Sequence, residues 1–432
     1  MHAETVDILI AGGGPVGAAL ALALEGSGHS VLLAEARSAE SSSARSADSS
    51  SARSPESSGA PSAETGSTRT TDPVSASTAE SNGALSAGPR GATVRDARAI
   101  ALSYSSRLIL SRLHAWSGLA STPIETIHIS QRGGFGRTLI RAVDCGLPAL
   151  GYVASYDALL QSLLAPPCSA QRLFGAKLTG FEGAMAVLQT KEGRLALAPR
   201  LTVLADGARI ADDSAASGYS KSYGQTAVVA WVKADRAHSG RAWERFTPEG
   251  PLALLPYAGG HALVWTTGPQ RAAQLCALDA PQFLAELHAA FGDRVGAFTE
   301  VRERAAFALA LRYQREETRP RCVSVGNAAQ TLHPVAGQGF NLGLRDAWEL
   351  GRLARAATSE LGSDGFLAAY RRARSLDRSA GIRFTDGLVR LFSNSDPLLQ
   401  FGRGAGLLAL DLLPPARDFI ARRMIYGARA LP

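Results

Sequence analysis

The sequence predicts an α/β fold: a Rossmann-like unit with a parallel sheet, an interleaved and mostly antiparallel β-sheet, and a helical C-terminus. Three observations carry that expectation. They are a strand–glycine–helix–strand start over residues 6–35, short alternating apolar stretches between about residues 119 and 311, and helical patterning from Phe366 onward. At 432 residues the chain is long enough for roughly two domains. With 46% hydrophobic residues but only three Met and nine Tyr, its core is expected to consist largely of Ala and Leu.

The first strand, Val6 to Ala11, runs directly into Gly12-Gly13-Gly14-Pro15-Val16-Gly17. This sets a G-x-G-x-x-G at a strand-to-helix turn. There Gly12 permits the tight turn, Gly14 lets a pyrophosphate approach the backbone, and Gly17 lets the helix lie close on the strand. Ala18 to Leu24 continue as an Ala/Leu helix, and a second apolar strand, Val31 to Ala34, ends at Glu35. That carboxylate stands at roughly the 20-residue offset from which an acid accepts from ribose hydroxyls. The pattern points to a dinucleotide site and leaves nicotinamide or flavin open.

Between Glu35 and Asp96 the composition turns to Ser, Ala, Thr, Gly, Pro and scattered charge, in an eight-residue repeat starting at Ser38. An acid stands third in each of the first six units: Glu40, Asp48, Glu56, Glu64, Asp72 and Glu80. Such a segment cannot bury enough apolar surface to offset its ordering entropy, and Pro55, Pro61, Pro73 and Pro89 oppose a continuous helix. Residues 38–92 are therefore expected to be a disordered insertion. It leaves after the second strand and returns before Arg98, and its length adds only logarithmically to the entropy of closure.

Residues 119–149 and 219–314 carry the alternation expected of an antiparallel sheet, as in Ala227 to Val232 and His261 to Trp265. Residues 93–118, 150–218 and 315–360 are assigned with residues 1–37 to the nucleotide-binding unit, and residues 361–432 form the helical end. From Arg403 onward five arginines face two aspartates, a local charge of +3 beside apolar stretches such as Pro397 to Phe401 and Gly406 to Leu410. That combination suits contact with an anionic membrane surface as well as packing on the body of the protein.

The densest signal is Val325 to Asp346. Cys322 to Val325 is expected to be a short strand ended by Gly326, and Gly337-Gln338-Gly339 precede a helix beginning near Asn341. A glycine-flanked helix start offers free N–H donors. These suit the carbonyls and the negatively charged N1 locus of a reduced flavin better than a neutral nicotinamide.

With this segment the chain resembles the class A flavoprotein aromatic monooxygenases, and among them the 2-polyprenyl-6-methoxyphenol hydroxylases of ubiquinone biosynthesis. Supporting stretches are Asp96 to Ser103, Ile127 to Gly133, Gly240 to Thr247 with Gly250 to Pro256, Thr385 to Val389, and Pro415 to Asp418. The resemblance implies an FAD-binding domain of glutathione-reductase type in its hydroxylase variant, with the antiparallel sheet as substrate domain. It implies FAD contacts from Gly12, Gly14, Pro15 and Gly17, the adenosine ribose on Glu35, and Arg98 on the pyrophosphate or ribityl side. Asp206-Gly207 and Gly326-Asn327 match the family's Asp-Gly and Gly-Asp elements, with an amide in place of the second aspartate. Gly337, Gln338, Gly339 and Asn341 would border the flavin, and His333 and Pro334 at its face are the candidate catalytic residues, with a hydrogen-bonding role for His333 as the alternative. The Asp-Gly element continues as Ala208-Arg209-Ile210 without the family's nearby serine, and the helix start at Ser155-Tyr156-Asp157 lacks its arginine.

The reaction so implied is hydroxylation of a polyprenylated phenol with O2 through a flavin C4a-hydroperoxide, with NADPH or NADH as reductant. No general base follows from the sequence. Two alternatives stand beside it: a flavin hydroxylase for another ring position or a soluble phenol, and a largely structural flavoprotein subunit of a quinone-biosynthesis protein complex. The net charge of +7 is spread without basic–aromatic runs, which argues against nucleic acid. Cys145, Cys168, Cys276 and Cys322 are far apart, His128, His261, His288 and His333 make no ligand pattern, and no metal is expected. With no export signal or apolar run near the roughly 20 residues of a membrane span, the expected location is cytoplasmic, peripheral to the inner membrane face.

Overall fold

The computed structural model describes residues 6–37, 98–207, 218–314, 319–357, 360–394 and 396–428. The repeat and Ala208-Arg209-Ile210 lie outside them. The chain opens with β1 (Ile8–Ala11), α1 (Pro15–Ala23) and β2 (Val31–Glu35), followed by β3 (Ala99–Ser103), α2 (Tyr104–Arg112), β4 (Thr122–Ile124), β5 (Thr126–Gln131) and β6 (Arg137–Arg141). Next come β7 (Gly151–Ser155), α3 (Tyr156–Leu164), β8 (Gln171–Phe174), β9 (Lys177–Glu182), β10 (Met185–Thr190), β11 (Gly193–Leu197) and β12 (Leu201–Leu204). β13 (Gly218–Ala234), β14 (Arg241–Thr247), β15 (Gly250–Tyr257) and β16 (Gly260–Thr267) lead to α4 (Pro269–Ala277), α5 (Ala280–Phe291) and β17 (Phe298–Gln314). β18 (Cys322–Ser324), β19 (Gln330–Thr331), α6 (Gln338–Ala356), α7 (Asp364–Phe392), α8 (Pro397–Leu412) and α9 (Pro414–Tyr426) complete the described chain.

The nucleotide-binding unit is a five-stranded parallel sheet in the order β18-β12-β1-β2-β8. Its central strand is apolar throughout because both faces are covered. On one side Ile8 and Ile10 pack with Ala18 to Leu24 of the first helical segment, Leu159 and Leu163 of α3, and Leu344, Ala347 and Leu350 of α6. On the other, Leu9, Leu32 and Ala34 meet Leu178, Ala186, Leu188 and Leu197 of the β9–β11 meander. α1 begins at Pro15, earlier than the expected Ala18, since proline's fixed φ and missing N–H suit the first turn.

The alternating stretches form one eight-stranded sheet, β19-β17-β13-β16-β15-β14-β5-β6. It is antiparallel except where β14 runs parallel to β5. Its outer face buries Val228, Val232, Leu252, Leu254, Leu263 and Trp265 against Leu275, Phe283, Leu287 and Phe291 of α4 and α5. Its inner face turns toward α6, α7 and the small β3-β7-β4 sheet, through Phe246 with Val335, Val389 and Phe392, and through Ala242 with Ile124 and Val153. α6 starts at Gln338, three residues before the expected Asn341. Among the described residues no helix is long and apolar enough to cross a membrane.

Candidate active site

The glycine turn after β1 is shaped by close approach. Gly12 has φ +118°, and a Cβ there would overlap the backbone of Asp206, just beyond β12. A Cβ at Gly17 would overlap the Gly12 carbonyl oxygen, so the helix lies as near the strand as the backbone permits. Gly14 is the N-cap of α1 and supplies no side-chain cap, with Pro15 following it. The first N–H groups of this helix are thus left to a ligand or water. Glu35 closes the turn: its Oε2 would stand 2.6 Å from a Cβ on Gly13, while its Oε1 accepts from Arg37 N at 3.0 Å and Arg37 Nε at 3.2 Å.

The Asp-Gly and Gly-Asn elements come together beside this turn. Asp206 and Gly207 follow β12, and a Cβ on Gly207 would touch Asn327 Cβ at 3.4 Å. Gly326 adopts φ +59° and presses on Val16 of α1, and Gly343 of α6 presses on both, 2.9 Å from a Cβ position to Gly326 Cα. The turn is held from beneath by Asp346, which is fully buried. One of its oxygens accepts from Gly326 N at 3.2 Å and Gln330 Nε2 at 2.7 Å, and the other from Arg374 Nε at 2.7 Å. Sequence reasoning missed Asp346 as a supporting residue because its partner Arg374 lies 28 positions away.

Arg98 leads into β3, with its guanidinium 5.4 Å from the Tyr156 ring centre and 5.6 Å from that of Phe307 on β17. Tyr156 in turn places its hydroxyl 3.4 Å from a Cβ position on Gly14. Arg98 therefore joins the glycine turn to the inner face of the large sheet. At the start of α6, Gly337 is a left-handed N-cap with no side-chain cap, 3.0 Å from a Cβ position to Ala101 Cβ on β3. Gln338 Nε2 reaches the Met424 carbonyl at 3.3 Å, and Gly339 has open space around it. Asn341 is buried between Ser103, Ser106, Ala101 and Gly337 and hydrogen-bonds to all four.

His333 and Pro334 precede this helix start. His333 is 1% exposed, its Nδ1 accepts from Val335 N at 3.1 Å, and burial lowers its pKa to about 4. It is therefore a neutral imidazole whose proton sits on Nε2, and that nitrogen has no partner among the described residues. Its ring lies edge-on to Tyr223, 5.4 Å between centres. Tyr223 donates to Asp386 at 3.1 Å, and Asp386 also accepts from Lys221 at 2.7 Å. The Thr385 to Val389 stretch carried a family signal, but its pairing with β13 was not readable because the partners are 163 and 165 residues away.

Two uncapped helix starts, a turn open to close approach, and an acid at the end of β2 fit an extended dinucleotide. The FAD-binding domain model matches residues 174–385. Ubiquinone hydroxylase UbiL of Rhodospirillum rubrum is 35% identical over 76% of this chain and 79% of its own length. The chain belongs to the FAD-dependent aromatic monooxygenases of ubiquinone biosynthesis. The 3-demethoxyubiquinol 3-hydroxylase of Escherichia coli is 30% identical over 73% of this chain and 84% of its own. The fold is that of Klebsiella pneumoniae HpxO, solved in complex with FAD, at a TM-score of 0.66 and 14% identity over 99% of this chain and 100% of that one. The protein is thus a flavoprotein ring hydroxylase with FAD as cofactor.

Proposed function

We propose that this monooxygenase hydroxylates the ring of 2-polyprenyl-6-methoxyphenol, using O2 and electrons from NADPH or NADH. The observation that carries the reading is the inner face of the eight-stranded sheet, apolar along most of its width and set against the start of α6 and Arg98. A prenylated ring needs such a wall.

In this reading Gly12, Gly14, Pro15 and Gly17 present the N-terminus of α1 to the pyrophosphate. Glu35 accepts from the adenosine ribose, and Asp206, Gly207, Gly326 and Asn327 border the ribityl side, where the Asn327 amide can both accept and donate. Arg98 offsets phosphate charge. Gly337, Gln338, Gly339 and the α6 N–H groups face the isoalloxazine, with Asn341 holding the helix start in place. FAD, when bound and reduced, supplies the oxygen-activating chemistry. The chain's part is to orient the ring and keep water away, which Phe246, Val335, Val389 and Phe392 do by closing one end of the space. His333 is a neutral hydrogen-bonding group at that end, 88° to the Tyr223 ring plane.

Exposed apolar side chains on α8 and α9 support contact with a membrane surface, from which a polyprenyl substrate would be drawn. Leu398 is 80%, Leu412 68% and Phe401 63% exposed, and Phe135 packs on Phe401 beside them.

A second reading is hydroxylation at another ring position, favoured by the Escherichia coli relative, which is named for a 3-hydroxylation. Deleting the gene in its host and identifying the accumulating quinone precursor by mass spectrometry separates the two. Accumulated 2-polyprenyl-6-methoxyphenol supports the first reading, a demethoxyquinol supports the second, and an unaltered quinone pool opposes both.

A further inference from the structure

Across the middle of the large sheet, strand pairing sets six residues side by side on the inner face. Ile129 pairs with Glu244, Glu244 with Ala253, Ala253 with Val264, Val264 with Val229, and Val229 with Ala305. All six are partly accessible, although on β13, β15 and β16 their neighbours along the strand are buried. Alternation sends those neighbours to the outer face and this row to the inner face. One end of the row is covered two residues along β14, where Phe246 meets Val335 and Phe392. The other end is covered two residues back, where Ala242 meets Ile124 and Val153. On β17, Phe307 stands two residues from Ala305 and faces Arg98.

Glu244 is the one ionisable member of the row. Its Oε1 is buried and has no hydrogen-bond partner among the described residues. A carboxyl set among Ile, Ala and Val with an unmet acceptor costs stability, and such a group asks for an explanation in function. Burial also pushes its pKa up to about 7.

We propose that Glu244 receives the hydroxyl group of the aromatic substrate, fixing which edge of the ring faces the flavin. The assignment rests on the hydroxylase reading above and deepens it. The substrate O–H donates to the Glu244 carboxylate, while the apolar row on either side takes the ring and its alkyl substituent. A methyl ether of the same ring has no hydrogen to donate and would leave the carboxylate unpaired, which a buried acceptor penalises.

The test compares two probes on the FAD-loaded enzyme: 2-methoxy-6-prenylphenol and its O-methyl ether, with binding read from the change in flavin absorbance. The native enzyme is expected to prefer the phenol about tenfold or more, and Glu244→Leu to lose that preference while keeping its FAD. Leucine at a buried carboxyl position is a tolerated exchange. Should it fail to retain FAD, Glu244→Gln decides, because a neutral acceptor forms a weaker bond and should cut the preference by about threefold or more. An undiminished phenol preference in a folded variant overturns the role of Glu244 and leaves the hydroxylase reading standing. If the native holoenzyme binds neither probe and consumes no oxygen with the phenol, both fall together.

Discussion

Asn341 uses every hydrogen-bonding position of its side chain inside the protein. Its Oδ1 accepts from Ser103 N at 2.8 Å and Ser106 Oγ at 2.7 Å, and its Nδ2 donates to the carbonyls of Ala101 at 3.0 Å and Gly337 at 2.7 Å. It therefore acts by position, pinning the α6 start to β3. Asn341→Ala would orphan several buried groups and is expected to cost about 3 kcal/mol, read by thermal unfolding, with weakened FAD retention. Gly12 stands under a different constraint, since any side chain there meets Asp206 at a φ that only glycine adopts freely. Gly12→Ala should destabilise by about 2 kcal/mol or more and leave the protein without flavin absorbance. His333→Asn is expected to lower hydroxylation more than FAD content, and unchanged turnover would remove His333 from the site. The glycines were legible in the sequence because their constraint is local. The partners of Asn341 were not, being between 235 and 240 residues away except for Gly337.

At the scale of elements, α6 and α7 are joined by a buried ion network. Arg374 pairs with Asp346 at 2.7 Å and Asp377 at 2.9 Å, and Arg345 pairs with Asp377 at 2.7 Å. Burial raises the Asp377 pKa, but Arg345 and Arg374 outweigh it and bring it to about 2, below the ordinary 3.8. A depressed carboxyl stabilises the fold above its unfolded value and loses that contribution as pH falls from 3.8 toward 2. The contribution is about 2 kcal/mol, so Asp377→Asn should flatten acid unfolding over that window. α8 presents another element-scale property. Replacing Leu398 and Phe401 with Asp should reduce flotation with anionic vesicles severalfold while leaving FAD content unchanged, because the side chains are exposed. The apolar and basic pattern of this region was readable in the sequence. Which side chains stay uncovered was not, since that depends on how α8 lies against the Phe135 loop.

For the whole molecule, three buried histidines govern the response to mild acid. His128, His261 and His333 are all held near a pKa of about 4, chiefly by burial, against an ordinary 6.5. Between those values the unfolded chain binds more protons, so stability falls as pH falls. Glu244, held up at about 7, opposes this, because the folded state takes its proton first. The net slope is about two protons, or roughly 2 to 3 kcal/mol per pH unit near pH 5 to 6, and should steepen in Glu244→Leu, as measured by denaturant unfolding across pH. The sequence displayed the two larger sheets because each has its own periodicity, a continuous apolar run for buried parallel strands and alternation for the eight-stranded sheet. It hid Glu244, whose meaning comes from a register spanning six strands. Turnover by the purified FAD-loaded protein with NADPH or NADH, heavy-isotope O2 and a short-chain 2-polyprenyl-6-methoxyphenol, with the product read by mass spectrometry, tests whether this chain hydroxylates that ring. One labelled oxygen atom on the ring is the predicted result, and reductant-dependent peroxide release with an unlabelled, unchanged phenol would contradict it.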